Sequence, residues 1–332
     1  MSSQPPVSPT ADFELNTRNL DEFGYTIHEN FLSAAEVEGL RLRLEEQAAL
    51  EREAGVATLG DRGHASTVDY RTVPEDSLPP LQQIGFLPNK GREFIELCMH
   101  PLSQLYLQHV FHGIPYNLAS QTGTILRKGA TEMVVHADQQ ALPFLTPIPV
   151  MLNILVALSD FEEAMGATRL VPGSHRLGPP KIMPHPQTGG ACNPEPIQTV
   201  PATAKAGSAL IWESRTWHCS GASISDKIRY AIANVYALHF MKPQDIYSAL
   251  LHDDVCDSLT DEEKRMLGFE VVFEYAGRIG PRNPADTRSN TNCRFPYVPE
   301  LRRGSPRRAL AVADMSNPRT SEQARVVTCK RI

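Results

Sequence analysis

Short apolar, β-rich runs separated by Gly and Pro breaks fill the middle of this chain and limit the folds open to it. The runs occupy residues 122–128, 131–137, 149–158, 167–171, 198–204, 208–213 and 228–240. Many short strands with such turns between them are typical of a sandwich or a double-sheet jelly roll. We therefore predict a mainly β fold with flanking helices around a double-stranded β-helix core, of the jelly-roll or cupin-like kind.

Helical patterns flank these strands. Ser33 and Glu36 have the spacing of a capping box, and apolar residues at helical spacing predict an amphipathic helix to about Glu53. A second helical segment, interrupted by a proline, runs from Phe94 to Phe111, and a third from Leu259 to Phe269. We interpret these helices as supports for the sheet.

The domain boundaries follow from composition. Residues 1–12, rich in Ser and Pro, are predicted to be disordered, and residues 13–280 to form a single domain. Residues 54–90 look like a loop, and the Pro- and Gly-rich segment 179–201 is not expected to form a regular element. Residues 281–332 are expected to be a tail or an arm, which suggests a homodimer.

Charge and cysteine content narrow the function classes. The net charge of −6 gives no electrostatic footprint for nucleic acid, and no apolar stretch reaches the length of a membrane span. The six cysteines are scattered and form no C-x-x-C pair, and no signal peptide is seen, so we expect a cytoplasmic protein. The expected partner is a small molecule, with neither nucleic acid nor membrane.

The most informative chemical feature is the sequence His136-Ala137-Asp138, followed by a distant histidine, His218. Side chains alternate along an extended strand, so His136 and Asp138 would lie on one face. Two imidazoles and one carboxylate make the facial triad of non-haem Fe(II) oxygenases, which leaves three coordination positions open. A His-x-Asp pair alone is also common on protein surfaces, so the assignment depends on the other residues of the proposed site.

The residue that supports the assignment is Arg229, which lies eleven residues after His218 at the start of an apolar β-rich stretch. A guanidinium is always charged and costly to bury without an anion, and a carboxylate satisfies it through a bidentate pair of hydrogen bonds. By itself Arg229 could as well form a structural salt bridge. Beside a metal triad it fits a dicarboxylate cosubstrate whose 2-oxo acid end chelates the metal.

The chain resembles the phytanoyl-CoA dioxygenase family of Fe(II)- and 2-oxoglutarate-dependent oxygenases over roughly residues 20 to 280. The matching pieces are Phe23-Gly24-Tyr25, His136-Ala137-Asp138, the block from Gly166 to Arg176 with its Pro-Gly-Ser-His core, Trp217-His218 and Arg229. In size and motif spacing it is similar to the members that oxidise natural products. His175 follows a turn inside the central block, and we interpret it as structural.

The resemblance implies the site residues and the cofactors. Iron is expected on His136, Asp138 and His218, and a salt bridge is expected from Arg229 to the distal carboxylate of 2-oxoglutarate, with O2 as the oxidant. Further cosubstrate contacts are implied for Thr168, Asn153 and Ser220. One departure is Met133, which stands where many relatives have a glutamine. The residue that takes over that contact is left open.

The expected reaction is hydroxylation, desaturation or rearrangement of a lipophilic small molecule, such as a terpenoid, polyketide or alkaloid in secondary metabolism. Asp138 argues against halogenation, because related halogenases have a small residue there. Three alternatives stay open: an acyl-CoA 2-hydroxylase of the same family, a cupin-like enzyme that uses metal without 2-oxoglutarate, and a non-catalytic jelly-roll partner subunit.

Overall fold

Antiparallel strands build the centre of the molecule, and helices cover one side of it. The structure is a computed structural model that describes residues 6–60, 66–67, 78–142, 144–187 and 190–270. The helices are α1 (Phe13–Phe23), α2 (Ala34–Glu53), α3 (Arg92–Cys98), α4 (Pro101–Phe111), α5 (Tyr247–Leu250), α6 (Asp253–Ser258) and α7 (Asp261–Met266). The strands are β1 (Tyr25–His28), β2 (Thr58–Gly60), β3 (Ser66–Thr67), β4 (Leu81–Ile84), β5 (Tyr116–Leu126), β6 (Met151–Ala157), β7 (Thr168–Leu170), β8 (Met183–Pro184), β9 (Ala191–Cys192), β10 (Val200–Pro201), β11 (Ala209–Glu213), β12 (His218–Ser220) and β13 (Arg229–Leu238).

Two antiparallel sheets face each other. The larger has the strand order β1-β11-β6-β13-β5-β4-β2-β3 and the smaller has the order β10-β7-β12. Leu155, Leu210 and Trp212 on the inner face of the larger sheet pack with Leu170 of the smaller sheet in one buried cluster. This double-sheet arrangement with flanking helices confirms the predicted jelly-roll core.

Strand β6 shows why a continuous apolar run forms the middle of the larger sheet. All seven of its residues are buried. Leu155 and Ala157 face the smaller sheet, whereas Leu152, Ile154 and Val156 face the helices on the other side. A strand covered on both faces needs apolar residues at every position that makes no specific polar contact. The polar exception on its inner face is Asn153, whose partner belongs to the site.

Helix α2 packs on the outer face of the larger sheet. It begins with the predicted capping box, in which the Ser33 N–H donates to Oε2 of Glu36 at 2.8 Å and the Glu36 N–H donates to Oγ of Ser33 at 3.3 Å. Leu44 lies over Gly123 of β5, where an added Cβ would be 2.3 Å from its Cδ1. The missing side chain of Gly123 therefore lets the helix approach the sheet. The interruption of the second helical segment and the third helix are also confirmed, as α3, α4 and α7.

Residues 131–137 do not form the predicted strand. Only His136 pairs, in an isolated antiparallel bridge with His218. The neighbouring Val135 satisfies its backbone through Asn193 instead, because its N–H donates to Oδ1 at 3.0 Å and its carbonyl accepts from Nδ2 at 2.9 Å. A side chain thus takes the place of a strand partner. Asp138 starts a 3-10 turn, Asp138–Ala141, so it does not continue an extended strand as predicted.

Three other segments are more ordered than predicted. In the N-terminal dozen, Val7 is buried in the inner cluster and Thr10 bridges to His28, so disorder is wrong for residues 7–10. Residues 54–90, expected to be a loop, contain β2 and β4, which extend the larger sheet. Gln82 of β4 is buried, and its Nε2 donates to the carbonyl of Ala48 in α2 at 3.0 Å, so this polar side chain is satisfied by the helix. Segment 179–201 contains the two-residue strands β8, β9 and β10 despite its prolines.

Residues 1–5 and 271–332 lie outside the described part of the chain, so the predicted C-terminal arm does too. Among the helices that the structure describes, none is both long and apolar enough to cross a membrane.

Candidate metal centre and cosubstrate site

His136, Asp138 and His218 converge at one end of the sheet pair. Each offers one ligand atom, and these atoms all lie within 4.8 Å of one another. Nε2 of His136 is 3.8 Å from Oδ1 of Asp138, and Nε2 of His218 is 3.6 Å from Oδ2 of the same carboxylate. The bridge between the two histidine backbones and the turn after Ala137 bring the three together. The structure thus assembles the predicted triad.

Both histidines direct Nε2 to the place where the three ligand atoms converge. Nδ1 of His136 is 3.0 Å from the carbonyl of Val134, and Nδ1 of His218 is 3.0 Å from the carbonyl of Thr216. A carbonyl can only accept, so Nδ1 is the protonated nitrogen and the lone pair is on Nε2. Burial, reinforced by His218, lowers the pKa of His136, which favours the neutral form that binds metals.

The chemistry of this donor set fits a divalent iron. Two neutral imidazoles and a carboxylate with free coordination positions are the ligands of non-haem Fe(II) oxygenases. Among the His, Cys, Asp and Glu side chains of the described residues, no other cluster has the geometry to hold a metal. His175, which we interpreted as structural, is buried beside Gly24 and lies outside the cluster.

Arg229 is buried at the start of β13, as predicted. Its Nη1 donates to the carbonyl of Gly166, and its guanidinium lies 5.3 Å from the ring centre of Phe161. Its Nε has no hydrogen-bond partner, and no carboxylate of the described residues lies within 4.0 Å. Burial lowers the pKa of Arg229 to about 10. A buried cation without an anion is expensive, so the site favours an anionic ligand.

Thr168 and Ser220 are directly paired across β7 and β12. Oγ of Ser220 is 3.5 Å from the carbonyl of Gly166, the same oxygen that Arg229 contacts. Gly166 has φ +73°, and an added Cβ would be 2.8 Å from the carbonyl of Gly221, so a glycine is needed here. Cosubstrate contacts of Thr168 and Ser220 stay predictions.

Asn153 lies at the triad, in contact with a ligand. Its Nδ2 donates to Oδ2 of Asp138 at 2.8 Å. Its cosubstrate contact stays a prediction, for which the second N–H of Nδ2 is available as a donor. Met133, the departure from the relatives, donates its backbone N–H to the carbonyl of Ser220 at 3.0 Å.

Two residues that the sequence reasoning missed complete the site. Nε1 of Trp212 lies 3.3 Å from Oδ2 of Asp138. Gln139 is buried and bridges the turn after Asp138: its Nε2 donates to Oγ1 of Thr146 at 2.6 Å, and its Oε1 accepts from the Val150 N–H at 3.1 Å. Strand alternation in 208–213 could have placed Trp212 on the inner face, but no local signal marks Gln139.

The family match decides the classification. Residues 20–231 match the model of the phytanoyl-CoA dioxygenase family. The chain belongs to this family. The family match, the jelly roll and the triad agree with one another, and the protein is a non-haem iron dioxygenase.

Curated relatives of this family member are fungal dioxygenases. Dioxygenase aneA of Aspergillus aculeatus is 28% identical over 54% of this chain and 59% of its own length. Dioxygenase af480 of Aspergillus fumigatus is 24% identical over 79% of both chains. Dioxygenase FrzG of Cladobotryum sp. is 24% identical over 79% of this chain and 85% of its own. The alignment with aneA therefore spans less than two thirds of that protein, whereas the other two alignments are longer.

Solved structures share the fold. The epimerase SnoN, solved with Fe3+, alpha ketoglutarate and nogalamycin RO, has a TM-score of 0.53 at 21% identity, over 70% of this chain and 87% of its own. The carbocyclase SnoK, from nogalamycin biosynthesis, has a TM-score of 0.50 at 23% identity, over 69% and 87%. At this identity the likeness speaks for the jelly-roll architecture alone.

Proposed function

We propose that this dioxygenase oxidises a lipophilic small molecule of secondary metabolism by hydroxylation, desaturation or rearrangement at an unactivated carbon. The observation that carries the proposal is the pairing of a complete triad with a buried arginine that has no carboxylate partner among the described residues. A metal site alone would not need Arg229. The fungal dioxygenase relatives and the nogalamycin enzymes of the same fold support a natural product as substrate.

The residues of this chain divide the work. Iron held by the triad, when bound with a 2-oxo acid, activates dioxygen for attack on a C–H bond. In the hydroxylation case, substrate, 2-oxoglutarate and O2 give the alcohol, succinate and carbon dioxide. Arg229 would hold the distal carboxylate, which fixes the 2-oxo acid end over the triad. Leu155 and Leu210 are buried and directly paired two residues along the strands from Asn153 and Trp212, and they would keep water from that side of the site.

Apolar side chains near the turn after Asp138 agree with a lipophilic substrate. Phe144 and Leu145 are 60% and 45% exposed, although Phe and Leu are usually buried. Tyr116, by contrast, packs against Phe111 at 5.6 Å between ring centres and donates to Oε1 of Gln104, so it belongs to the helix-facing core.

The cytoplasmic location and the homodimer stay predictions from the sequence.

The test is anaerobic addition of Fe(II) and then of 2-oxoglutarate, with the visible spectrum recorded after each step. A weak charge-transfer band that appears only with 2-oxoglutarate supports chelation at a facial triad, and Asp138→Ala should lack it. Succinate formation in air then measures turnover, and a metabolite extract shows which compound gains or loses mass. Iron binding without the band would favour a metal-only cupin enzyme, and no iron binding would favour a non-catalytic jelly roll.

A further inference from the structure

Two buried N–H groups converge on one oxygen of Asp138. Nδ2 of Asn153 lies 2.8 Å and Nε1 of Trp212 lies 3.3 Å from Oδ2. The two donors occupy directly paired positions on β6 and β11, and their side chains point to the same face of the sheet. Both residues are buried. Because adjacent strands fix the separation of paired residues, the two donors form one rigid cradle for a single oxygen.

The other oxygen, Oδ1, is left for the metal. In the described part of the chain no hydrogen-bond donor contacts Oδ1. A carboxylate oxygen has about two lone-pair sites, and the two N–H donors use those of Oδ2. Without these donors both oxygens could coordinate, because Oδ1 lies 3.8 Å from Nε2 of His136 and Oδ2 lies 3.6 Å from Nε2 of His218.

We propose that Asn153 and Trp212 are positioning residues that hold Asp138 to one-oxygen ligation and so keep a coordination position open for dioxygen. The proposal rests on the iron and 2-oxoglutarate chemistry of the proposed function. An octahedral metal with three protein ligand atoms has three free positions, two for a chelating 2-oxo acid and one for O2. A carboxylate that ligated through both oxygens would fill one of these three.

Trp212 adds a second constraint. Its ring centre is 5.0 Å from that of His218, at an interplanar angle of 54°. The indole thus contacts one ligand through its N–H and supports another through its ring. Residues that contact ligands in this way fix ligand orientation. Their loss typically weakens metal binding or activity by about 10–100-fold, which sets the scale of the effect expected in the test.

The test uses Trp212→Phe, which keeps a ring beside His218, Asn153→Ala, and the double variant. Matched controls are available for both residues. Asn234 is a buried asparagine on β13 whose Oδ1 accepts from Nε2 of Gln121, so Asn234→Ala removes an amide from the same sheet. Trp217 donates its Nε1–H to the carbonyl of Gly178, so Trp217→Phe removes an indole N–H that does not reach Asp138.

Two readouts separate control of coordination from structural support. The first is the 2-oxoglutarate concentration that gives half of the charge-transfer band at saturating Fe(II). The second is the water-proton relaxation of the Mn(II)-loaded protein without 2-oxoglutarate, which reports the number of bound waters. Unfolding in urea, measured for every variant, shows whether folding is retained.

We expect the double variant to need on the order of tenfold more 2-oxoglutarate and to lose about one of three bound waters, whereas the controls match the wild type. Wild-type values in the double variant for both readouts would overturn the proposal. Weaker iron binding together with an unchanged 2-oxoglutarate dependence at saturating iron would also overturn it. That result would show that the two residues only support the ligands structurally. If the double variant does not fold, Trp212→Phe decides. A wild-type protein that binds Mn(II) but gives no 2-oxoglutarate band would count against the proposed function, and the relaxation result would still decide this inference.

Discussion

The backbones of His136 and His218 are hydrogen-bonded to each other in both directions. The His136 N–H lies 2.9 Å from the His218 carbonyl, and the His218 N–H lies 2.8 Å from the His136 carbonyl. Each imidazole also directs Nδ1 to the carbonyl two residues earlier in its own chain segment. The two histidines are therefore held by both their backbones and their rings, so their side chains need little reorganisation when a metal binds.

The triad can be tested by removing its carboxylate. Asp138→Ala should lose iron binding and succinate formation, because two imidazoles alone hold Fe(II) weakly. Anaerobic Fe(II) titration followed by metal analysis measures the stoichiometry. His109→Gln is a suitable control, since His109 lies on α4 and pairs with Asp21. Normal turnover in Asp138→Ala would contradict the assignment.

The role of Arg229 predicts a specific kinetic change. Arg229→Ala should leave iron binding intact and raise the 2-oxoglutarate concentration for half-maximal turnover by on the order of 100-fold, since loss of one partner of a buried charge pair costs about 2–5 kcal/mol. Arg229→Lys should be intermediate, because lysine keeps the charge but loses two-point contact. Arg169→Gln on β7, whose guanidinium pairs with Glu163, should change little. An unchanged 2-oxoglutarate requirement in Arg229→Ala would rule out this role.

Trp212 should report metal binding by fluorescence. The chain has two tryptophans, so Trp217→Phe leaves Trp212 as the single emitter, 5.0 Å from the His218 ring centre. Co(II) binding at the triad should quench this emission strongly, because the ion would lie next to the indole. Trp212→Phe keeps only Trp217, whose N–H bonds to Gly178, and should be quenched less. Equal quenching in both variants would place the metal elsewhere.

His175 predicts how stability depends on pH. Burial, with added repulsion from Arg176 and Arg215, lowers the pKa of His175 from 6.5 to about 4. Between these values the unfolded chain binds a proton that the folded chain does not, so this contribution is present above pH 6.5 and is lost as the pH falls towards 4. In urea unfolding across this range, His175→Gln should show a flatter dependence on pH than the wild type. Parallel curves would contradict the assignment.

Gln139 predicts a link between stability and the iron site. Its amide contacts Thr146 and Val150, and its Oε1 also accepts from Oγ of Ser214 at 3.1 Å. Gln139→Ala should lower the free energy of unfolding by about 3 kcal/mol, because it leaves buried polar groups unpaired, and should also weaken iron binding by loosening the turn after Asp138. Gln108→Ala, at an exposed position of α4, is the control. Unchanged iron affinity in Gln139→Ala would limit its role to folding.

The sequence by itself determined the features that depend on near neighbours in the chain. The capping box of α2, the break before α4 and the strand-rich middle follow from residue types within a few positions of one another. The candidate site residues could also be predicted, because His136 and Asp138 are close in sequence and the family motifs include His218 and Arg229.

Only the tertiary structure decided what those ligands touch. The Asn153–Trp212 cradle depends on the register between β6 and β11, and the short pairing of His136 depends on Asn193, which satisfies Val135 from 58 residues away. Hydrogen bonds between distant segments are set by how the sheets pack, and local patterns carry no information about that packing. For the same reason strand alternation did not predict the direction of Asp138, which is set by a turn that Gln139 ties to Ser214 and Thr146.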